Sequence, residues 1–141
     1  MTESLPSIVC PTVAEIVSTS DTSMPVDCEL RYDVCDGLAV TAIFSTLAQT
    51  VSWTFARSLL DEGRYRPTGE GDINVRPDLD ERGHAAVSVQ LRSPDGTAVL
   101  RAPTADVTRF LDMTKHLVPD GGEMVAVDID SVIERLLVEP G

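Results

Sequence analysis

The most regular pattern in the chain is the alternation in "VDCELRYDV", residues 26–34, where Val26, Cys28, Leu30, Tyr32 and Val34 interleave with Asp27, Glu29, Arg31 and Asp33. Successive side chains of an extended strand point to opposite faces, so a period of two predicts a strand with one buried face and one wet, charged face. Asp36-Gly37 marks a turn. "LAVTAIFS", 38–45, follows as a strand apolar on both faces apart from Thr41 and Ser45, and "TVSWTFA", 50–56, alternates again through Val51, Trp53 and Phe55. Upstream, "TVAEIVSTS", 12–20, reads as a weaker strand running antiparallel to 26–34.

The period then changes. In "FARSLLDEG", 55–63, Leu59 and Leu60 fall one helical turn past Phe55 and Ala56, and Gly63 closes the segment, which predicts a short helix with a glycine stop. "RYRPTGEG" reads as a loop, and "DINVRP", 72–77, as a strand with Ile73 and Val75 inward. "HAAVSVQLRS", 84–93, sets Ala85, Val87, Val89 and Leu91 on one face against Ser88, Gln90 and Arg92 on the other. "SPDG", 93–96, is a tight turn with Gly96 at positive φ, and "TAVLRA", 97–102, returns as its hairpin partner. After Pro103, Val107, Phe110, Leu111, Thr114 and Leu117/Val118 recur at three- and four-residue steps, the stripe of an amphipathic helix. A second helix is expected at "SVIERLLVE", 131–139, where Ser131 and Glu134 have capping-box spacing.

The expected fold is therefore α+β: a bent antiparallel sheet of about seven strands, packed on one side, with one short and two longer helices. No repeat or long linker divides it, so residues 1–141 are expected to form a single domain, with residues 1–10 lacking order.

Charge narrows the functional classes. The net charge is −12, from 23 acids against 11 Lys plus Arg. Residues 1–50 carry −6, residues 51–100 carry −2 and residues 101–141 carry −4. Such a field repels phosphate backbones, so no nucleic-acid partner is expected. The hydrophobic fraction of 43% supports a core, but aromatics are only 4%, so that core must be mostly aliphatic. The start lacks a basic region followed by a long apolar run, no segment has the length of a membrane span, and Cys10, Cys28 and Cys35 are an odd number with no CxxC. A cytoplasmic chain with reduced thiols and no membrane insertion follows as the expectation.

Catalytic patterns fail one by one. There is no GxSxG elbow, and His84 and His116 are the only candidates for a neutral-pH base. Cys10, Cys28, Cys35 and His84 match no zinc spacing, and Cys28 sits on the apolar face of a strand, where a thiol behaves as a small hydrophobe. "PTGEGD", 67–72, lacks the Lys and hydroxyl of a phosphate loop, Glu70 and Asp72 would repel an anion, and a strand rather than a helix follows; its glycines fit a tight turn instead. The acids of "DLDERG", 78–83, and "DID", 128–130, read as a solvated loop and a helix start. The sequence thus predicts no enzyme, cofactor or metal.

What stands out is "WTFARSLLDEGRYRPTGEGDINVRP", 53–77, which holds Arg57, Arg64, Arg66 and Arg76 in the least acidic part of the chain. Ordinary pairing would account for any single one, Arg57 with Asp61 at i,i+4 or Arg76 with an acid on a neighbouring strand. As a group with Tyr65 they are the residue types that carry protein interfaces. Arg57, Arg64, Tyr65 and Arg66 are the candidate partner or subunit contact.

In order along the chain, "LRYD", "VSWTFARSLL", "RPTGEGDINVRP", "LRSPDGTAVLRAP", "FLDMT" and "VPDGGE" resemble the SsgA-like family of sporulation and cell-division regulators of filamentous actinobacteria. The resemblance covers residues 26 to 137. It implies a whirly-like α+β fold, a trimeric or other homo-oligomeric state, and a non-catalytic adaptor that helps place the division machinery, FtsZ or another SsgA-like protein, at septation sites. Arg31, Tyr32, Asp33, Trp53, Phe55, Arg57, Gly63, Pro67, Gly69, Gly71, Asp72, Pro77, Pro94, Gly96, Phe110 and Pro119 fit the family pattern, mostly as core aromatics, turn glycines and stiff prolines. The chain departs from it at Gly37 and Leu38, at Ser58 and over residues 1–20. Whirly relatives elsewhere bind single-stranded nucleic acid, the alternative that the charge and the shortage of aromatics oppose.

Overall fold

The structure is a computed structural model and describes residues 7–17, 22–46, 49–94 and 96–120. Eight strands form one antiparallel sheet: β1 (Ser7–Val17), β2 (Ser23–Asp33), β3 (Ala39–Ser45), β4 (Thr50–Ala56), β5 (Thr68–Glu70), β6 (Ile73–Leu79), β7 (Ala85–Ser93) and β8 (Gly96–Pro103). Their order in space is β4-β3-β2-β1-β8-β7-β6-β5. Among the described residues two α-helices, α1 (Arg57–Gly63) and α2 (Thr104–Leu117), pack on one face.

The α+β class holds, with eight strands instead of about seven. The additional one is β5, three residues inside the stretch read as a loop, whose Glu70 pairs with Ile73 around a turn at Gly71 and Asp72. Gly71 takes φ +63, so the turn reading holds for it, whereas Gly69 lies inside β5 opposite Asn74. Phe55 and Ala56 belong to β4, and α1 starts two residues later than expected. β1 begins at Ser7, so Ser7–Cys10, expected to lack order, are part of a strand. The helix expected at 131–139 and the acids at 128–130 lie outside the described residues.

β2 buries Val26, Cys28, Leu30 and Tyr32 and turns its charges outward, as its alternation requires. The inward residues of the sheet, among them Val40, Ala42, Phe44, Trp53, Val75, Val87 and Leu100, meet Leu59 and Leu60 of α1 and Val107, Phe110 and Leu111 of α2 in one core. Phe44 and Trp53 meet edge to face with ring centres 5.1 Å apart. Three prolines lie inside strands, where a missing N–H breaks a ladder. Each sits where its strand has a partner on one side only. β8 reaches β1 only at Glu15–Val17, away from Pro11; β3 reaches β2 only at Asp27–Arg31, away from Pro25; β5 reaches β6 only at Ile73–Val75, away from Pro77.

The outward face is polar and stitched across strands. Glu15, Arg101, Ser88 and Arg76 stand in register on β1, β8, β7 and β6. Arg101 lies 3.3 Å from Glu15 and 3.8 Å from Asp78, and the Ser88 hydroxyl donates to Asp78. This network buries Ser88, which the sequence had set on a solvent face.

Candidate functional site

The four predicted contact residues lie at the two ends of α1, where Arg57 is buried at the start and Tyr65 and Arg66 are exposed past the end. Arg57 opens the helix and is only 1% exposed. Its guanidinium donates to the Val118 carbonyl at 2.7 Å, the Thr114 hydroxyl at 3.3 Å and the Pro119 carbonyl at 3.5 Å, stands 3.8 Å from the Asp120 carboxylate and lies over the Tyr32 ring. Tyr32 in turn donates its hydroxyl to the Gly37 carbonyl at 3.0 Å. Asp61 at i,i+4 is not its partner. The surface role read from sequence is therefore corrected for Arg57: it is a strut tying the α2 exit to β2. One sequence signal anticipates this, since the inward period of β4, Trp53 and Phe55, continues onto Arg57.

Arg64, at the other end, is also held. Its side chain is 6% exposed; it pairs with Asp61, donates to the Asp61 carbonyl at 3.2 Å and reaches the Thr108 hydroxyl at 3.1 Å. Lys115 of α2 completes the lattice at 2.8 Å from Asp61 and 3.5 Å from Asp120. Burial works to raise the Asp61 carboxyl, but hydrogen bonds and charge from Lys115 and Arg64 outweigh it and hold the group below the usual carboxylate range. The hydrogen bond to Asp61 raises Lys115, and the nearby carboxylates add to the shift against its partial burial.

Tyr65 and Arg66 are what reaches solvent. Tyr65 is 72% exposed, and the Arg64 guanidinium sits 4.8 Å from its ring centre. Arg66, equally open, lies 3.4 Å from Glu62. With Arg57, Ser58, Asp61, Glu62 and Asp120 they border a hollow of about 380 Å³. A cation immobilised on α1 and α2 thus holds an exposed aromatic ring, with a second, exposed cation beside it that pairs with Glu62.

The remaining candidates fall elsewhere. His84 is exposed at the start of β7, 3.3 Å from Asp80. Asp80 accepts the backbone N–H of His84 and of Arg82, which holds its carboxyl low. His116 is exposed in the last turn of α2. Cys10 and Cys28 are buried and Cys35 is exposed, so the thiols do not gather. Among the described residues no group of His, Cys, Asp and Glu could hold a metal, and no helix is long and apolar enough to cross a membrane. The outward face of β2 carries Asp27, Glu29 and Asp33, and its one cation, Arg31, is paired with Glu29 at 2.7 Å.

Residues 26–123 match the family model described as Streptomyces sporulation and cell division protein, SsgA. The chain belongs to the SsgA family. It is 42% identical over 134 residues to the sporulation-specific cell division protein SsgB of Streptomyces coelicolor, covering 94% of this chain and 97% of that one. The SsgB of Salinispora tropica is 39% identical over 140 residues, covering 93% and 97%. Among solved structures, an SsgA-like sporulation-specific cell division protein from Thermobifida fusca superposes with a TM-score of 0.84 at 36% identity, covering 96% of this chain and 98% of that one. A structure of Streptomyces coelicolor SsgB, reported with mutations that correlate to longitudinal cell division during sporulation, gives 0.81 at 39%, covering 89% and 99%. The family's sporulation and cell-division role agrees with the resemblance drawn from the ordered motifs.

Proposed function

We propose that this SsgA-family chain is a non-catalytic adaptor that works at the division septum as a homo-oligomer and docks FtsZ or another SsgA-like protein through the Tyr65–Arg66 end of α1. The observation that carries the docking site is the support beneath Tyr65. Arg64 is fixed by Asp61 and Thr108 and faces the Tyr65 ring, so the exposed aromatic is ordered before a partner arrives. Preordering lowers the entropy lost on binding, and Tyr and Arg are the types that dominate interface energetics. The relatives named SsgB support the cellular setting.

The test is light scattering after size exclusion, on the protein alone and mixed with FtsZ from the same source, repeated with Tyr65→Ala and Arg66→Glu. Co-elution that both variants abolish supports the reading. Co-elution that both retain removes the site. No co-elution with FtsZ, but co-elution with a second SsgA-like protein through the same residues, moves the partner and keeps the site.

A further inference from the structure

The outward face of the sheet has two halves of different character. Over β6, β7 and β8 it is stitched together by Asp78, Ser88 and Arg101. Over β1, β2 and β3 the register places the acids of β2 beside apolar side chains. Glu29 lies between Pro11 and Ile43, and Asp27 lies between Val13 and Ser45. Val9 and Val13 are 48% and 61% exposed. Single apolar residues are normal on a surface, but Val9, Pro11, Val13 and Ile43 stand on one face of the same sheet. Pro11, Val13, Asp27, Glu29, Arg31 and Ile43 border a hollow of about 610 Å³. A second hollow of about 410 Å³ shares Val13, Asp27 and Ser45 with it and continues past Pro25 and Met24. Glu29 is engaged by Arg31, whereas the Asp27 carboxylate between the two hollows has no ion pair or hydrogen bond among the described residues.

We propose that this β1–β2–β3 face is a second docking surface, which takes a partner-protein segment carrying Lys or Arg among apolar side chains. Charge selects the occupant. The acids of β2, Asp27, Glu29 and Asp33, face outward with Arg31 as the one cation among them, on a body of net charge −12. That field repels a phosphate backbone, an anionic membrane and a second copy of equal charge, and it attracts a cationic segment. The apolar side chains supply what charge alone does not. Covering Pro11, Val13 and Ile43 removes apolar surface from water, and a cation over Asp27 gives that carboxylate the partner it needs once water is excluded. The two requirements meet at Val13 and Asp27, which stand opposite each other on β1 and β2 and border both hollows. An adaptor links two proteins through two faces. This one shares no residue with the Tyr65–Arg66 surface and does not rest on that reading.

The test is fluorescence anisotropy of a labelled peptide, Lys-Leu-Leu-Lys-Lys-Leu-Leu-Lys, titrated with the full chain at about 0.15 M salt, where attraction beyond about 8 Å is screened. A peptide with serine in place of every leucine carries the same charge and is the reference. The leucine peptide should bind at least about tenfold more tightly than the serine peptide. Asp27→Lys and Val13→Ser should each weaken the leucine peptide by about tenfold or more. Asp72→Lys makes the same change of net charge as Asp27→Lys at an exposed site in the β5–β6 turn, and it should leave binding unchanged. The exchanged side chains are exposed, and circular dichroism melts check that each variant is folded. Asp27→Asn, which removes the charge and keeps the shape, should weaken binding in the same direction. Absence of binding overturns the proposal, and so do equal affinities for the two peptides or equal losses in Asp27→Lys and Asp72→Lys. A subunit number changed by Asp27→Lys, measured by light scattering, assigns the face to a second copy and overturns it as well.

Discussion

The guanidinium of Arg57 lies 5.2 Å from the centre of the Tyr32 ring, and this contact joins the start of α1 to the second strand. The stack leaves the guanidinium plane free to bond along its edge, toward Thr114, Val118 and Pro119. A buried cation survives only when paired and hydrogen-bonded, and here the Val118 and Pro119 carbonyls at the end of α2 contribute to that pairing. The strut thus sets the direction in which the chain leaves α2.

Arg57→Ala should lower stability by at least about 3 kcal/mol, since it removes charge-assisted hydrogen bonds and leaves a cavity. Arg57→Lys should recover only part, because an ammonium lacks the planar fork. Tyr32→Phe keeps the ring and removes the hydroxyl bond to Gly37, for a cost of about 1–2 kcal/mol. Urea unfolding followed by circular dichroism ranks the three. Equal stability of Arg57→Ala and wild type would show the strut to be idle.

Arg64 and Arg66 look alike in sequence and should respond oppositely. Arg66→Glu breaks an exposed pair and should leave stability within about 0.5 kcal/mol. Arg64→Glu puts a carboxylate against Asp61 in a half-buried lattice and should cost about 2–4 kcal/mol. Thermal melts of the two variants separate the positions. Equal melting points would mean that the lattice around Asp61 contributes nothing.

Much of this was legible. The alternation of β2 set its faces, and the 107/110/111/114 stripe set the buried side of α2. β5 was not, because a three-residue strand containing glycine has too few side chains to show a period. Arg57 was misread because propensity treats arginine as a surface residue, while the inward parity of Trp53 and Phe55 and the buried Thr114 on an otherwise apolar stripe pointed to a buried polar pair. Ser88 was misread for a related reason: its burial comes from Asp78 and Arg101, contributed by two neighbouring strands. The exposed pair Tyr65 and Arg66 follows from composition, but only tertiary contacts distinguish them from Arg64.

The Asp61–Lys115 pair should affect both ends of the pH–stability profile. A carboxyl lowered on folding contributes stability that is fully present above its unfolded value, near about 3.9, and is lost as pH falls through the folded value. Asp61 and Asp78 are both lowered, so both feed an acid limb below about pH 4. A lysine raised on folding contributes stability present below about pH 10.4 and lost as pH rises through its folded value, which gives Lys115 an alkaline limb. Asp61→Asn should lower the plateau and flatten both limbs. Urea midpoints across pH check this, and a variant curve parallel to the wild type would remove Asp61 from the account.

The three thiols should differ in reactivity by position alone. Burial, reinforced by the charge of Glu29, pushes the Cys28 thiol up to about 11, so at pH 8 it is almost wholly protonated and shielded. Cys10 is buried under α2, with its sulfur 3.6 Å from that of Met113. Cys35 is exposed in the short 3₁₀ turn Val34–Asp36. In a native titration with a thiol-specific disulfide reagent at pH 8, one equivalent should react fast, and Cys35→Ser should abolish that phase. The other two should react only at the rate of unfolding, and both should appear at once in denaturant. Any fast equivalent in the Cys35→Ser variant would mean that β1 or β2 opens without global unfolding, contrary to the close packing of Cys10 and Cys28 in the core.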